Sequence, residues 1–321
     1  MRSGGMGRYV AGRLLLAIPL LIVITFAVFA LIHIAPGTPE RALLGARQAS
    51  PETIAAIREQ WNLDEPFLLQ YFLWLKAVVT GDIGRSIQSS EAVTAAIGRR
   101  IGLTVFLGLY ATLIALLVGI PLGMWAALRR GSMTDRTVVG VSVLGVSAPT
   151  FAVGLLFLYL FGVVLDWFPV FGAGEGFWDR AYHLTLPALA LALALLALIV
   201  KITRAAMIDE LDQDYVAFAR SRGLSQRRIM GRYVLRNSLI PVVTATGLIV
   251  VGLFGGAVLI EATFGLPGLG TLLVESVLTR DIPVVQALVL LTAVFVIVVN
   301  LGLDVLYTVI DPRIRFGSAD S

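Results

Sequence analysis

Two histidines, two lysines and no cysteine leave this 321-residue chain few groups able to do covalent or metal chemistry. Without thiols, disulfides and thiolate metal sites are excluded, and the redox compartment stays open. His33 and His183 stand far apart in sequence, each near an expected outer membrane boundary, so clustered zinc ligation has no support and no metal site is expected. A phosphate-binding loop of the Walker type requires Gly-Lys followed by Ser or Thr. Lys76 follows Leu75 and Lys201 follows Val200, so neither is that lysine and the chain cannot be an ATPase of this kind on its own. No serine or threonine has an evident histidine partner, which leaves an intramembrane enzyme without a nucleophile and base at one depth.

Carrier chemistry driven by an ion gradient needs ionisable groups at mid-membrane depth. Asp166, Glu261 and Asp304 all lie near the ends of apolar stretches that are otherwise almost free of charge, which lowers the case for a proton-coupled secondary transporter or channel. Glu261 and Phe264 are candidates to line a solute path, where an acid could meet an amine. The simpler reading pairs Glu261 with Arg280 at the outer rim. Ser147 and Pro149, at an expected bend within an apolar stretch, are the other path candidates.

The polar segment from Met207 to Asn237 is the most informative. Asp209 and Asp212 can cap a short helix running to Arg222, in which Tyr215, Val216, Phe218 and Ala219 offer an apolar side. Gly223 supplies a left-handed turn without a Cβ, after which Ser225 can cap a second helix carrying Arg227, Arg228, Arg232 and Arg236. An apolar face on a connection between apolar stretches predicts a docking element. Basic residues lying on anionic lipid headgroups are the competing reading, and Arg232 and Arg236 fit it.

The elements that must position this segment follow from composition. With 58% hydrophobic and 14% charged residues the chain has too little polar surface for water. About 20 apolar residues cross the hydrocarbon core as a helix, and six stretches qualify: Leu14–Ile32, Ile101–Leu128, Thr137–Leu165, Leu184–Val200 with continuation to Met207, Leu239–Ile260 and Ile282–Leu303. No small-x-small cleavage site follows the first, which is read as a retained anchor rather than a signal peptide.

Lysine and arginine number three before the first span, three between the second and third, eight from Lys201 to Arg236 and two after the last. The short connections on the other side hold only Arg180 and Arg280, so the positive-inside rule places both termini in the cytoplasm. Arg99 and Arg100 close a long outer segment, where that rule loses force. The net charge of +4 thus reports orientation against membrane lipid, and no nucleic-acid partner is expected.

The outer segment 34–100 reads as a small helical cap. Ser50-Pro51 opens one helix, Pro66 opens a second that Gly81 closes, and Trp61, Phe67, Tyr71, Phe72 and Trp74 line a face suited to the membrane interface. Gly119 with Gly123, and Gly252 with Gly256, have the spacing that lets helices approach closely. Pro121 and Pro149 are expected to bend their spans. The expected organisation is a tail and first span over 1–33, the cap over 34–100, a five-span core over 101–312 containing the 207–237 loop, and a cytoplasmic tail over 313–321.

Several ordered strings resemble one known family. They are APGTPE at Ala35–Glu40, GDIGRSI at Gly81–Ile87, GIPLGMWAALRRG at Gly119–Gly131, SAPTF at Ser147–Phe151, DYVAFARSRGLSQRRIMGRYVLRNSLIPVVT from Asp214, GGAVLIEATFGLPGLG from Gly255, RDIPVVQ from Arg280 and NLGLDVLYTVIDPRIR from Asn300. Together they resemble inner-membrane permease subunits of the dipeptide and oligopeptide class of ABC importers, almost end to end. The family signature Glu-Ala-Ala, three residues, Gly falls on Ala217, Phe218, Ala219 and Gly223. The Glu and first Ala are absent, the second Ala and the Gly are present, and the following proline is Pro241.

The resemblance implies an all-α integral membrane protein with six transmembrane helices of the type I importer kind, in a prokaryotic inner membrane. It implies that Asp214, Tyr215, Ala217, Phe218, Ala219, Arg220, Arg222, Gly223 and Leu224 form a coupling helix and turn seated in a groove of an ATPase subunit. It further implies a second homologous permease, two ATPase subunits that bind the ATP and Mg, no cofactor in this chain, and an extracytoplasmic binding protein docking against the cap. The expected cargo is di- or oligopeptides, with nickel chelate, glutathione or another small solute as rivals.

Overall fold

In a computed structural model of the chain, residues 4–34, 38–40 and 50–310 are described. Residues 35–37 of the first motif, 41–49 of the cap, the end of the last motif, the 313–321 tail and the Arg8 and Asp304 side chains lie outside them. The described residues are helical apart from turns and one isolated bridge between Arg85 and Ala92. This is what a hydrocarbon solvent demands, because every backbone amide must find its partner within the chain. Four helices are long and apolar enough to span: Leu15–Ile34, Val93–Leu128, Thr185–Leu211 and Ile282–Leu303. Two bent pairs, Met133–Gly145 with Thr150–Val164 and Gln226–Gly247 with Ile249–Thr263, bring the number to six if each pair is one span.

The helices are α1 (Gly4–Ile34), α2 (Pro51–Gln60), α3 (Phe67–Val79), α4 (Val93–Leu128), α5 (Met133–Ser147), α6 (Thr150–Phe157), α7 (Gly176–His183) and α8 (Thr185–Leu211). They continue with α9 (Asp214–Ser221), α10 (Gln226–Ile229), α11 (Leu235–Thr263), α12 (Leu269–Leu278) and α13 (Ile282–Ile310). Two boundaries differ from expectation. Helix α4 begins eight residues before Ile101, so its 36 residues extend about 54 Å, well beyond a hydrocarbon core of about 30 Å. The third span is broken: α5 and the helix that follows meet at 100°. Pro149 cannot donate an amide and drives the preceding residue out of the α region, and Ala148 is accordingly extended at φ −81° and ψ 130°.

The chain divides into two compact units, residues 1–102 with 267–301 and residues 103–266 with 302–321. In the first unit, Phe26, Phe29 and His33 of α1 meet Phe67, Tyr71 and Trp74 of α3 as an aromatic cluster, so most of the expected aromatic face is spent on the first span. Thr25 and Tyr71 share a buried hydroxyl hydrogen bond of 2.9 Å, and His33 meets the Gln70 amide oxygen at 3.1 Å. His33 is thus tied to the cap helix rather than standing alone. As expected, Pro66 precedes α3 and Gly81, at φ +91°, follows its end.

The same unit joins two of the motifs. Asp281 is 3% exposed, and its carboxylate accepts from Ser86 Oγ at 2.5 Å, the Ile87 amide at 3.1 Å and the Gln88 amide at 3.4 Å. Gln286 donates to the Val28 carbonyl at 2.8 Å. The GDIGRSI and RDIPVVQ strings are therefore two halves of one polar clamp.

In the second unit α8 is the central helix, packed by α5, α6 and α11. Ala188, Ala190, Ala192 and Ala197 are buried along it, small enough to bring neighbours close. A Cβ on Gly119 would lie 2.9 Å from Ile199, and one on Gly123 would lie 2.7 Å from Thr203 Cβ and 2.8 Å from the Val200 carbonyl oxygen. Gly256 is pressed by Leu191 at 2.9 Å, whereas Gly252 has open space. Outward, Leu109, Leu113 and Leu117 form an exposed stripe on α4, a surface suited to lipid.

Two predictions follow from these contacts. Gly123→Ala should cost about 1–3 kcal/mol, since backbone cannot yield to the new methyl, whereas Gly252→Ala should leave the melting temperature of the detergent-purified chain unchanged. Asp281→Ala should cost about 2–3 kcal/mol by stranding Ser86 and two amides, with Asp281→Asn intermediate. Equal melting of Asp281→Ala and wild type would show that the clamp carries no stability.

Candidate functional site

Helix α8 ends at Leu211 with Asp212 as its C-cap, and two residues after that cap the chain turns into α9. Sequence pattern assigns the cap of α9 to Asp209 and Asp212, but the N-cap residue is Gln213, with no side-chain capping bond. Asp212 instead pairs with Arg130 at 3.0 Å. Both side chains are more than half exposed, so that pair contributes little. Ser225 occupies the N-cap of α10 as expected, again without a side-chain bond; its carbonyl accepts from the Arg228 and Ile229 amides. Helix α10 then passes through a π-helical stretch, Met230–Val234, into α11.

The two faces of α9 have opposite fates. Val216 and Ala219 are buried with Ala127, Met207, Ile229 and Val234 in an apolar cluster beneath the helix. Tyr215 and Leu224 pack at its edge. Ala217, Phe218, Arg220 and Arg222 point outward, as does Asp214 in the first turn. Phe218 is 58% exposed, and the Arg222 guanidinium lies 4.7 Å from its ring centroid. An aromatic ring held up by a cation on a buried base is a shaped, apolar contact surface.

Gly223 ends α9 as the spacing predicts. It sits at φ +72°, its amide bonds the Arg220 carbonyl at 3.0 Å, and the Leu224 amide bonds the Ala219 carbonyl at 3.2 Å. This is a Schellman turn, and Leu224 completes it by packing into the cluster that holds Ala219. A Cβ at Gly223 would meet nothing within 4 Å, so only backbone strain opposes a side chain there.

Two polar contacts around the segment were not legible in sequence. Arg204 of α8 binds Asp135 through two bonds of 2.5 and 2.8 Å, and Asp135 also accepts from the Gly131 amide at 2.9 Å. Tyr215 donates to the Glu210 carboxylate, and Asn237 donates to the Tyr215 oxygen at 3.2 Å. Neither partner of Tyr215 carries a local signal, because both are ordinary polar residues at helix ends.

The path candidates fall in two settings. Ser147 and Pro149 are exposed at the break between α5 and α6, with the Ser147 hydroxyl donating to the Val143 carbonyl at 2.9 Å. Glu261 is fully buried and accepts from Thr104 Oγ1 at 2.6 Å. Phe264, 4% exposed, packs with Ile260 over Gly154 of α6.

A helical chain with apolar spans of this kind matches a known class. Residues 119–316 match the family described as binding-protein-dependent transport system inner membrane component, and residues 6–108 match the N-terminal model for such membrane components. The chain belongs to this family. It is 39% identical over 308 residues to the glutathione transport system permease protein GsiC of Salmonella typhi, covering 96% of this chain and 99% of that one. It is 40% identical to a putative peptide transport system permease protein of Brucella abortus, covering 94% and 96%. With the dipeptide transport system permease protein DppB of Alkalihalophilus pseudofirmus the identity is 34%, covering 96% and 99%. Among solved structures, an inward-facing MetNI methionine ABC transporter aligns with a TM-score of 0.58 at 16% identity, over 69% of this chain and 99% of that one, which shows a shared fold.

Gly223→Ala should cost about 1–2 kcal/mol of left-handed strain, and Gly223→Asn less. Hydrogen exchange of the Leu224 amide provides the measurement: exchange should accelerate in the order Asn, Ala, Val. Identical protection in all three would mean that the turn is not what holds α9 in place.

Proposed function

We propose that this chain is one permease subunit of an ATP-driven ABC importer, forming half of a path for di- or oligopeptides, and that α9 with its Gly223 turn docks in a groove of a separate ATPase subunit. The observation that carries this reading is the division of α9 into a buried base and an exposed Phe218–Arg222 face. A helix covered on one side and bare on the other, between two spans, is shaped for a partner. Arg220, Arg222, Arg227 and Arg228 are all exposed, with Arg222 over the Phe218 ring, so the complementary groove is apolar at its floor and acidic at its rim.

The energy source lies outside the chain: two ATPase subunits bind ATP and Mg, and their closure drives this permease together with a second, homologous one. The chain itself holds no cofactor and performs no catalysis. Its lysine and arginine distribution supports placing both termini and the 207–237 loop in the cytoplasm. The 34–100 cap then faces outward, toward a substrate-binding protein. Ser147, Pro149, Glu261 and Phe264 are assigned to the solute path, the buried pair becoming accessible when the path opens. Glutathione is the rival cargo, favoured by the 39% identity to GsiC; it shares a free amine and carboxylates with short peptides.

Purification of the chain from its native membrane should bring with it ATPase subunits and a homologous permease. In proteoliposomes supplied with the binding protein, uptake of labelled alanyl-alanine should require internal ATP, with glutathione as the competing probe. Phe218→Ala should leave the unfolding free energy within about 0.5 kcal/mol of wild type, as exposed sites do, yet reduce co-purification of the ATPase. Uptake by this chain alone, driven by an ion gradient and indifferent to ATP, would sink the proposal in favour of a secondary transporter.

A further inference from the structure

Three side chains from three helices close a hydrogen-bonded triangle beside the docking surface. Glu210 is the penultimate residue of α8, Tyr215 the second of α9 and Asn237 the third of α11. The Tyr215 hydroxyl donates its proton to Glu210 Oε2, and its oxygen accepts from Asn237 Nδ2 at 3.2 Å. The same Asn237 nitrogen lies 3.5 Å from Glu210 Oε2. Burial, and then the neighbouring carboxylate, hold the phenol above its ordinary pKa, so it remains a donor throughout the physiological range. Near it, Ser238 of α11 is 1% exposed; its hydroxyl donates to the Val234 carbonyl at 2.7 Å and lies 3.4 Å from the Ala206 carbonyl of α8.

The contacts of α9 with the two spans it joins are unequal along the chain. Only Asp212 and Gln213 separate it from α8, so α8 follows any displacement of α9 directly. Asn237 lies 22 residues beyond Tyr215, across the Gly223 turn, the four-residue α10 and a π-helical stretch. That covalent route is compliant. The apolar cluster under Val216 and Ala219 fixes contact but little direction, because dispersion contacts tolerate sliding. Hydrogen bonds to a charged carboxylate are short, directional and stronger than neutral ones.

We infer that Tyr215 is a positioning residue that carries displacement of α9 into the base of α11, with Glu210 and Asn237 as its two anchors. This rests on α9 being the element moved by the ATPase. The phenol lets both spans respond together: Glu210 reports to α8, Asn237 to α11, and the hydroxyl joins them. Tyr215→Phe removes one oxygen, leaves the ring in its packing, and cuts both bonds.

The test uses the full complex with its ATPase subunits. The chain has no cysteine, so Arg236→Cys places its single thiol at the base of α11. Its reaction rate with a membrane-impermeant maleimide is measured with and without ATP plus vanadate. In the otherwise wild-type chain trapping should change the rate several-fold. In Tyr215→Phe the change, scaled to the ATP hydrolysis that each complex retains, should fall several-fold below that of the otherwise wild-type chain, and Glu210→Gln, which keeps size and an acceptor, should fall between. A merely structural role for the phenol would lower both signals together. A full response in Tyr215→Phe, no response in wild type, or loss of the ATPase from Tyr215→Phe alone would each overturn the linkage. Failure of any ATPase to accompany the wild-type chain would instead overturn the docking reading on which it rests.

Discussion

Close approach of α8 to its neighbours is the constraint on which the second unit depends. Once helices are immersed in lipid, apolar burial no longer drives them together, and contact rests on packing that only small side chains permit. Gly119 and Gly123 of α4 lie against Ile199, Val200 and Thr203 of α8, and Gly256 of α11 lies against Leu191. The alanines along α8 complete the arrangement, so the central span can be touched on several sides. The base beneath α9 is continuous with that span, since Met207 belongs both to α8 and to the apolar cluster under α9.

Polar groups do the opposite work, fixing register where apolar surfaces alone would slide. Each is handled locally. Arg204 and Asp135 bind α8 to the first turn of α5, with Asp135 further anchored by the Gly131 amide. In the first unit, Asp281 is held by one hydroxyl and two amides, and Gln286 one turn later finds the Val28 carbonyl. Such groups are expensive to bury alone, and here each has its partner.

How much of this was written in the sequence depends on the range of the interaction. Apolar runs of about 20 residues declare spans directly, and all six stretches correspond to observed helices or bent pairs. Gly223 was legible because a left-handed turn has few alternatives, and Gly123 because its spacing is a packing signal. The start of α4 was not, because Arg99 and Arg100 interrupt the apolar run and set the turns at 93–100 apart from the stretch that follows. The capping role of Asp212 failed for a related reason: an exposed carboxylate has several possible partners, and Arg130, 82 residues earlier, took it. Asp281 with Ser86, separated by 195 residues, leaves no local periodicity at all. Their strings were recognisable as motifs, but only folding shows that they belong to one clamp.

The 207–237 segment combines both kinds of information, which explains why its helices were clearer in sequence than their supports. Its amphipathic pattern and terminal glycine are local, so α9 and its end could be placed. Its stiffness is not local: it comes from Ala127, Ile229 and Val234, which lie outside the helix, and from Glu210 and Asn237 on the spans at either side. Among the described residues, α9 is a place where an exposed aromatic face and a braced interior coincide.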